Sequence, residues 1–247
     1  VSRHIEVFGV GESNVETVLL NLIDTQTDPT IATYAKEGTV EVRVTSKRST
    51  RAEASNAVER MTARVMDLIG DYVFSIDGET VGEAAAKRLI EKNVSFSCAE
   101  SPTAGLFAAK LADMPGISAV LDRCYAVYSD RAVMEELGVS SEIIERYTAY
   151  SREAAEAMAV GVHVRTGSMM CAAITGLAGP DGFGDISPGT FHISIYFDGK
   201  LTTKSFSHNG WTRQLTRNLM ADTLLDMIIY VLDDRDLPES RRPASAE

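Results

Sequence analysis

A serine stands where a short apolar run gives way to a helical pattern. Residues 98–105 read CAESPTAG, with Ser101 directly before Pro102. Serine before proline is a common helix start, because the hydroxyl caps the first turn and proline fits the first helical position. The pattern predicts a helix from about Ser101 to Asp113. A strand-to-helix turn also exposes a side chain at the carboxyl end of a sheet, so Ser101 is either a helix cap or a nucleophile beside free N–H groups that could hold an oxyanion.

A glycine-rich segment follows a buried-strand pattern further along the chain. Residues 176–189 read GLAGPDGFGDISPG, directly after the apolar run 168–176. One interpretation is a long hairpin-like connection. The other is a functional loop, since connections of this length often carry a role. In that case its backbone cradles a phosphate or a ribose and Asp181 makes a polar contact.

Two further places offer polar side chains. Tyr128 and Ser129 lie in YAVYSD, at the end of a predicted strand, where a tyrosine is usually half-buried packing. Arg213 and Arg217 stand one helical turn apart at the start of the last predicted helix. A solvated charged face is the commoner explanation of such a pair, and a phosphate clamp is the alternative.

Periodicity divides the chain into two α/β parts that must position these residues. Residues 1–76 have strand patterns at 3–10, 39–47 and 71–77 and helical patterns at 13–23 and 50–70, while 27–38 is predicted to be a loop. Residues 77–235 alternate helices and strands, which predicts a layered α/β domain. Residues 236–247 are predicted to be a disordered tail.

Composition narrows the classes of function. The net charge of -11 argues against nucleic acid and anionic membranes as nonspecific partners. No apolar stretch is long enough to span a bilayer and the start lacks a signal-peptide pattern, so we expect a cytoplasmic protein. The cysteines, Cys98, Cys124 and Cys171, are predicted to be buried free thiols. The histidines are isolated, so no metal site is expected.

Taken together, the motifs resemble the CinA competence/damage-inducible family. AESPTAG, YSDRAV, GLAGPDGFGDISPGT and the stretch from Gly210 to Arg217 are similar to the family's C-terminal domain, over roughly residues 78–232. FGVGES and DPTIATYAKEGTVEVRVT resemble its central KH-type segment. The resemblance implies a small KH-like α/β domain followed by a layered α/β CinA C-terminal domain. Full-length members carry a further N-terminal nucleotide-processing domain, so a chain that begins at Val1 is expected to be a truncated or shortened form.

The resemblance implies a nicotinamide-nucleotide amidase, a hydrolase of NAD salvage. Such an enzyme converts NMN to nicotinic acid mononucleotide and ammonia without a cofactor. Matching the motifs position by position makes Ser101 the nucleophile and Tyr128 its assisting group. The residues matched to substrate binding are Thr103, Gly105, Gly176, Gly179, Asp181, Gly182 and Arg213. The family's tendency to dimerise implies a homo-oligomer.

This sequence departs from the family where a base is needed. The family's catalytic lysine falls on Val133, which cannot accept a proton. Loss of a general base typically slows a reaction about 10²–10⁴-fold. Arg131 stays protonated, and Lys110 is expected to lie too far along its helix to serve instead. Pro102 also removes an N–H beside Ser101. At position 104 the methyl group of alanine hinders the close approach of other groups to the backbone that glycine allows. The sequence therefore predicts an impaired amidase or, alternatively, a catalytically silent homologue that binds a pyridine nucleotide or a protein; a purely structural assembly domain is a third hypothesis.

Other departures concern the loops. The family's Gly-Gly in the glycine-rich segment is Gly182-Phe183 here, and its Gly-Asp-Arg becomes Gly210-Trp211-Thr212-Arg213, with one extra residue. The KH-like segment lacks the GXXG loop through which other KH domains clamp RNA. A structural linker is therefore expected there, with no nucleic-acid partner.

Overall fold

The chain forms two units in the computed structural model, which describes residues 1–238. The first unit contains residues 1–84 and the described residues from 233 on, and the second contains residues 85–232. Helix α3, Val81–Glu91, spans the division. Of the tail predicted to be disordered, residues 239–247 lie outside the described residues.

The first unit is a four-stranded antiparallel sheet with two helices on one face. The elements are β1 Ser2–Phe8, α1 Glu12–Asp24, β2 Thr30–Ala35, β3 Thr39–Thr45, α2 Arg51–Ile69 and β4 Val73–Ser75. The strand order is β2-β3-β1-β4. Alternate strand residues, such as Ile5 and Val42, pack against Leu19 of α1 and Val65 of α2, and all four are fully buried.

One prediction for this unit was wrong. Residues 27–38 were expected to form a loop, but Thr30–Ala35 is strand β2, paired along its whole length with β3. Asp28 and Pro29 end the preceding turn, and β2 exposes most of its side chains because it lies at the edge of the sheet. An exposed edge strand lacks the apolar alternation that marks a half-buried strand in a sequence.

The second unit is a five-stranded mixed sheet in the order β6-β5-β7-β8-β9. Strands β5, β6 and β7 are parallel, and β8 and β9 complete the sheet as an antiparallel pair. The central strands β5 and β7 are buried along their whole length, as the apolar runs predicted. The elements after α3 are β5 Phe96–Glu100, α4 Leu106–Ala112, β6 Leu121–Ala126, α5 Asp130–Leu137, α6 Ser141–Tyr147, α7 Arg152–Thr166, β7 Met170–Gly176, β8 Thr190–Phe197, β9 Lys200–Ser207 and α8 Arg213–Leu232.

The cysteines are free thiols, as predicted, but one of them is not buried. Cys98 on β5 and Cys171 on β7 lie in the centre of the sheet, while Cys124 is exposed. Its strand, β6, is one of the two edge strands and exposes most of its residues. The order of strands in a sheet, rather than the apolar context of one residue, decides this exposure.

The face of the first sheet opposite its helices carries a compact charge network. Glu6 and Glu41 are directly paired across β1 and β3, and both are almost fully buried. Lys36 Nζ contacts both carboxylates, and His4 Nδ1 and Arg43 Nε lie 2.8 and 2.9 Å from Glu41 Oε1. Burial alone would raise the pKa of Glu41, but the hydrogen bonds from Lys36, His4 and Arg43 outweigh it and lower the pKa from 4.5 to about 2.

We expect Glu41→Gln to destabilise the first unit by about 2 kcal/mol at pH 7. Because the folded-state pKa lies below the unfolded value near 4.5, the ionised carboxylate stabilises the fold fully above about pH 5. That stabilisation is lost as the pH falls from 5 towards 2, so the variant and the wild type should converge there. Urea unfolding, followed through the amide NMR signals of β1 and β3 at several pH values, measures this difference.

The matched control is Glu37→Gln, which removes an exposed carboxylate from the same unit. It should leave the acid dependence of stability unchanged. A Glu41→Gln protein with the wild-type acid dependence would contradict the assigned network.

Candidate functional site

The predicted site segments follow the carboxyl ends of three neighbouring parallel strands. Glu100, the last residue of β5, pairs with Ala126 of β6 and with Ile174 of β7, so the three strands end close together. Ser101, Tyr128 and the glycine-rich segment begin directly after these ends. This edge of the sheet is where open α/β sheets bind their ligands.

Ser101 is not a helix cap, so that interpretation was wrong. Helix α4 begins at Leu106, and its N-terminal cap is Gly105, with φ of 91°. Residues 101–105 form a separate turn, in which Ala104 also has a positive φ of 50°. The Ser101 N–H donates to Ile174 O (3.1 Å), which fastens the turn to β7. The end of the helix near Asp113 was predicted correctly.

The N–H groups at the start of α4 are already bound. The Glu100 carboxylate accepts hydrogen bonds from the N–H groups of Gly105 (3.0 Å), Phe107 (3.1 Å) and Ala108 (2.9 Å). Glu100 is 1% exposed, so these bonds satisfy a buried carboxylate at the positive end of a helix. Sequence analysis missed this residue, because a cap is sought directly before a helix and the glutamate stands a whole turn earlier.

Arg213 brings three predicted site residues together. Its Nη2 donates to the Tyr128 hydroxyl oxygen (2.6 Å) and its Nη1 donates to Gly179 O (2.7 Å). Tyr128 is 61% exposed, so it is not half-buried packing. The start of α8, the end of β6 and the glycine-rich segment therefore meet around one guanidinium.

Arg217 has a structural role instead. Its Nε donates to Pro102 O (2.9 Å) and its Nη2 donates to Thr103 O (2.7 Å). The guanidinium thus fastens the turn after Ser101 to α8. Neither a solvated charged face nor a phosphate clamp formed with Arg213 describes this residue.

The other predicted contacts in the Ser101 turn are less accessible. Thr103 is fully buried, and its hydroxyl has no hydrogen-bond partner among the residues described. Gly105 has its N–H engaged by Glu100, and its positive φ shows that the turn itself favours glycine. Both residues shape the turn that presents Ser101.

The glycine-rich segment is a hairpin-like connection between β7 and β8, as one interpretation held. A Cβ at Gly176 would collide with Thr190 O, and a Cβ at Gly182 would lie 2.5 Å from Ile186 O. Glycine is therefore required at both positions, because another part of the backbone lies where a side chain would be. Asp181 is exposed, and within residues 1–238 its side chain has no hydrogen bond or ion pair, so it is free to contact a ligand.

No base serves Ser101 in the part of the chain that the structure describes. Val133 is 2% exposed and packs in the apolar cluster that includes Ala99 and Leu137. Lys110 Nζ is paired with Asp222 Oδ1 at 2.6 Å, on α8. Arg131 is likewise paired, with a glutamate one turn along α5. The Ser101 hydroxyl makes no side-chain hydrogen bond with any described residue.

Residues 1–238 contain neither a metal-binding cluster nor a membrane-spanning helix. No group of His, Cys, Asp and Glu side chains there could hold a metal ion. No helix in that range has both the length and the apolar character needed to cross a membrane.

We expect Glu100→Gln to destabilise the second unit by about 1–3 kcal/mol, because a neutral amide cannot replace a carboxylate that accepts three N–H bonds. Trp211, the single tryptophan of the chain, lies in this unit, so urea unfolding can be followed through its fluorescence. Hydrogen exchange at the amides of Phe107 and Ala108 should accelerate at the same time. Glu91→Gln, at an exposed position, is the matched control. Unchanged exchange at both amides would show that the Glu100 contacts do not hold the turn.

Comparison with known proteins matches both units. A model of the CinA C-terminal domain matches residues 78–232, and a model of the damage-inducible protein CinA KH domain matches residues 2–75. A competence-damage inducible protein of Acetivibrio thermocellus is 38% identical over 92% of this chain and 55% of its own length. One from Clostridium beijerinckii is 37% identical over 94% of this chain and 57% of its own length. The chain thus spans about half the length of these relatives.

Solved structures agree with this. The competence/damage inducible protein CihA of Agrobacterium tumefaciens is similar with a TM-score of 0.59 and 31% identity, over 63% of this chain and 97% of that one. A CinA superfamily protein of Escherichia coli has a TM-score of 0.59 and 28% identity, over 61% of this chain and 88% of its own. The predicted resemblance and fold class are confirmed: this chain belongs to the CinA family, with a KH-type domain followed by a CinA C-terminal domain.

Proposed function

We propose that the second unit binds nicotinamide mononucleotide beside Ser101 and hydrolyses its carboxamide slowly. The observation that carries this proposal is the junction at Arg213, where one guanidinium is bonded to Tyr128 and to Gly179 O at the ligand-binding edge of the sheet. The same residues are the ones that match the family's motifs. Membership in the CinA family supports the choice of substrate.

The proposed reaction is acyl transfer to a serine. Ser101 Oγ attacks the carboxamide carbon, the C–N bond breaks and ammonia leaves. Water then hydrolyses the resulting ester, so NMN and water give nicotinic acid mononucleotide and ammonia. Tyr128 assists, because its oxygen accepts a hydrogen bond from Arg213 and its own proton passes to the departing nitrogen. Water carries the proton lost by Ser101 back to the Tyr128 oxygen.

Two features make the reaction slow. Val133 stands where the family's lysine would remove the serine proton, and such a loss costs about 10²–10⁴-fold in rate. In addition, the N–H groups at the start of α4 bind Glu100, so they do not stabilise an oxyanion. Ser101 therefore depends on water to take its proton.

A second candidate function is nucleotide binding without catalysis. The specific observation in its favour is that Val133 is buried in an apolar cluster while Lys110 is held by Asp222, so neither position supplies a base. On this hypothesis the domain binds a pyridine nucleotide and does not change it.

We also expect a homo-oligomer, as the family resemblance implies. Light scattering after size-exclusion chromatography measures the oligomeric state directly.

The first test is release of ammonia and nicotinic acid mononucleotide from NMN. We expect slow turnover by the wild type, none by Ser101→Ala, and a gain of at least tenfold in Val133→Lys, which restores the family's base. Val133→Met is the matched control, because it has a similar length without the amino group. Ser118→Ala, at an exposed serine in the same unit, controls for the loss of a hydroxyl.

The outcomes separate the two candidates. Turnover that survives in Ser101→Ala would exclude Ser101 as the nucleophile. Binding of NMN with no turnover by any variant would favour the silent domain. If NMN does not bind to the wild type, both candidates are wrong.

Arg213 gives an independent prediction for binding. Arg213→Gln should raise the dissociation constant of NMN about tenfold, because it breaks the junction between Tyr128 and Gly179. Calorimetry with NMN measures the change. Arg146→Gln, at an exposed arginine on α6, should bind like the wild type. Equal affinity of the two variants for NMN would contradict the role of the Arg213 contacts in binding, on which the proposal depends.

A further inference from the structure

The basic side chains of residues 1–84 fall into two groups. Those of one group are paired with carboxylates; they are Arg3, Lys36, Arg43 and Arg48. Those of the other group have no ion-pair partner among the residues that the structure describes; they are Lys47, Arg51, Arg60 and Arg64. Unpaired cations attract anions, and such cations are unexpected in a chain of net charge -11.

All the unpaired cations line two neighbouring cavities. Arg60 and Arg64 line a cavity of about 410 Å³ between α2 and the connection from α1 to β2. Lys47 and Arg51 line a second cavity, of about 690 Å³. Arg48 lines both. The free positive charge of this unit is therefore concentrated around one place rather than spread over its surface.

The one carboxylate that lines these cavities does not neutralise Arg60 or Arg64. Asp28 accepts hydrogen bonds from Lys47 N–H (3.0 Å), Ser46 Oγ (2.9 Å) and Arg48 Nε (2.6 Å). Both of its oxygens are thus engaged by residues 46–48, which follow β3. The first cavity keeps an excess of positive charge.

Arg60 and Arg64 stand four residues apart on α2, so their side chains leave the same face of the helix. Like charges at this spacing repel, and an anion between them relieves the repulsion. Guanidinium groups suit phosphate in particular, because their planar N–H pairs can bind two oxygens at once. The spacing thus favours a phosphate group.

The rest of the cavity suits a ring. Leu22, Pro29 and Met61 give it an apolar wall. Gln26 also lines it, and since its Oε1 accepts a hydrogen bond from Ile31 N–H, its amide N–H groups are left for a ligand. A volume of about 410 Å³ is within the range of small-molecule sites.

We propose that this cavity of the KH-type unit binds a nucleoside monophosphate, with its phosphate between Arg60 and Arg64 and its base against the apolar wall. The site is separate from the one around Ser101 and does not depend on the proposed amidase reaction. It gives the unit a ligand, where the sequence predicted only a structural linker.

The test uses the full chain with AMP as the probe. Calorimetry gives the dissociation constant, and amide NMR shifts locate the site. We expect AMP to bind and to shift the signals of residues 25–29 and 57–64. The double variant R60Q/R64Q should weaken binding at least tenfold. The matched control K92Q/K200Q removes the same charge from exposed positions outside the cavities and should bind like the wild type.

Two further ligands test the chemistry. Adenosine should bind at least tenfold more weakly than AMP, because it lacks the phosphate, and inorganic phosphate should also bind more weakly, because it lacks the base. Equal affinity of R60Q/R64Q and wild type, or shifts confined to residues 85–232, would overturn the proposal. Adenosine binding as tightly as AMP would exclude the phosphate contact, and inorganic phosphate binding as tightly would exclude the nucleoside.

Discussion

The second unit depends on a buried carboxylate that is satisfied by backbone alone. Glu100 ends the central strand β5 and accepts three N–H groups from the start of α4. A buried charge without such partners would cost several kcal/mol, so the turn between strand and helix has little freedom to rearrange. Ser101 is the first residue of that turn. The position of Ser101 therefore follows from the three N–H groups that the Glu100 carboxylate must reach.

Two arginines on α8 hold two different parts of the candidate site. Arg217 donates to the carbonyls of Pro102 and Thr103 and thus holds the Ser101 turn from the other side. Arg213, one turn earlier, holds the exposed Tyr128 and Gly179. The same helix thereby fixes the rigid part of the site and orders its open rim. Their separate partners explain why one pair of residues with helical spacing does not form a single phosphate clamp.

Local chemistry made much of the fold predictable. Thr80 and Glu83, three residues apart, form a capping box, and the alternation in β1 and β3 marks the core face of the first sheet. The nearness of Ser101, Tyr128 and the glycine-rich segment also follows from the sequence pattern, because each comes after a predicted strand. Local patterns do not reveal which strands pair or which strand lies at an edge. Strand β2 is recognisable only through its pairing with β3, and Cys124 is exposed because β6 is an edge strand.

The Ser101 turn shows the same limit at the site itself. Serine before proline is a sound reason to expect a cap that binds the N–H groups two or three residues on. The buried carboxylate of Glu100 is a stronger acceptor, and it binds the N–H groups of Gly105, Phe107 and Ala108 further along the chain. The helix then starts at Leu106, after a turn that needs positive φ at Ala104 and Gly105. A single-residue motif does not reveal this acceptor, because the burial of Glu100 depends on strands β6 and β7 on either side of β5.

Position 133 is part of the apolar core and is not part of the Arg213 junction. Val133 packs among Ala99, Leu137 and other apolar side chains, so valine there contributes to the core of the second unit. A lysine would exchange that packing for an amine whose burial costs energy unless it reaches a polar partner. None of the contacts of Arg213 with Tyr128 and Gly179 involves this position. The Arg213 contacts can therefore persist without a base at position 133, so on the proposed function a change at this position alters the rate of NMN hydrolysis and leaves NMN affinity unchanged.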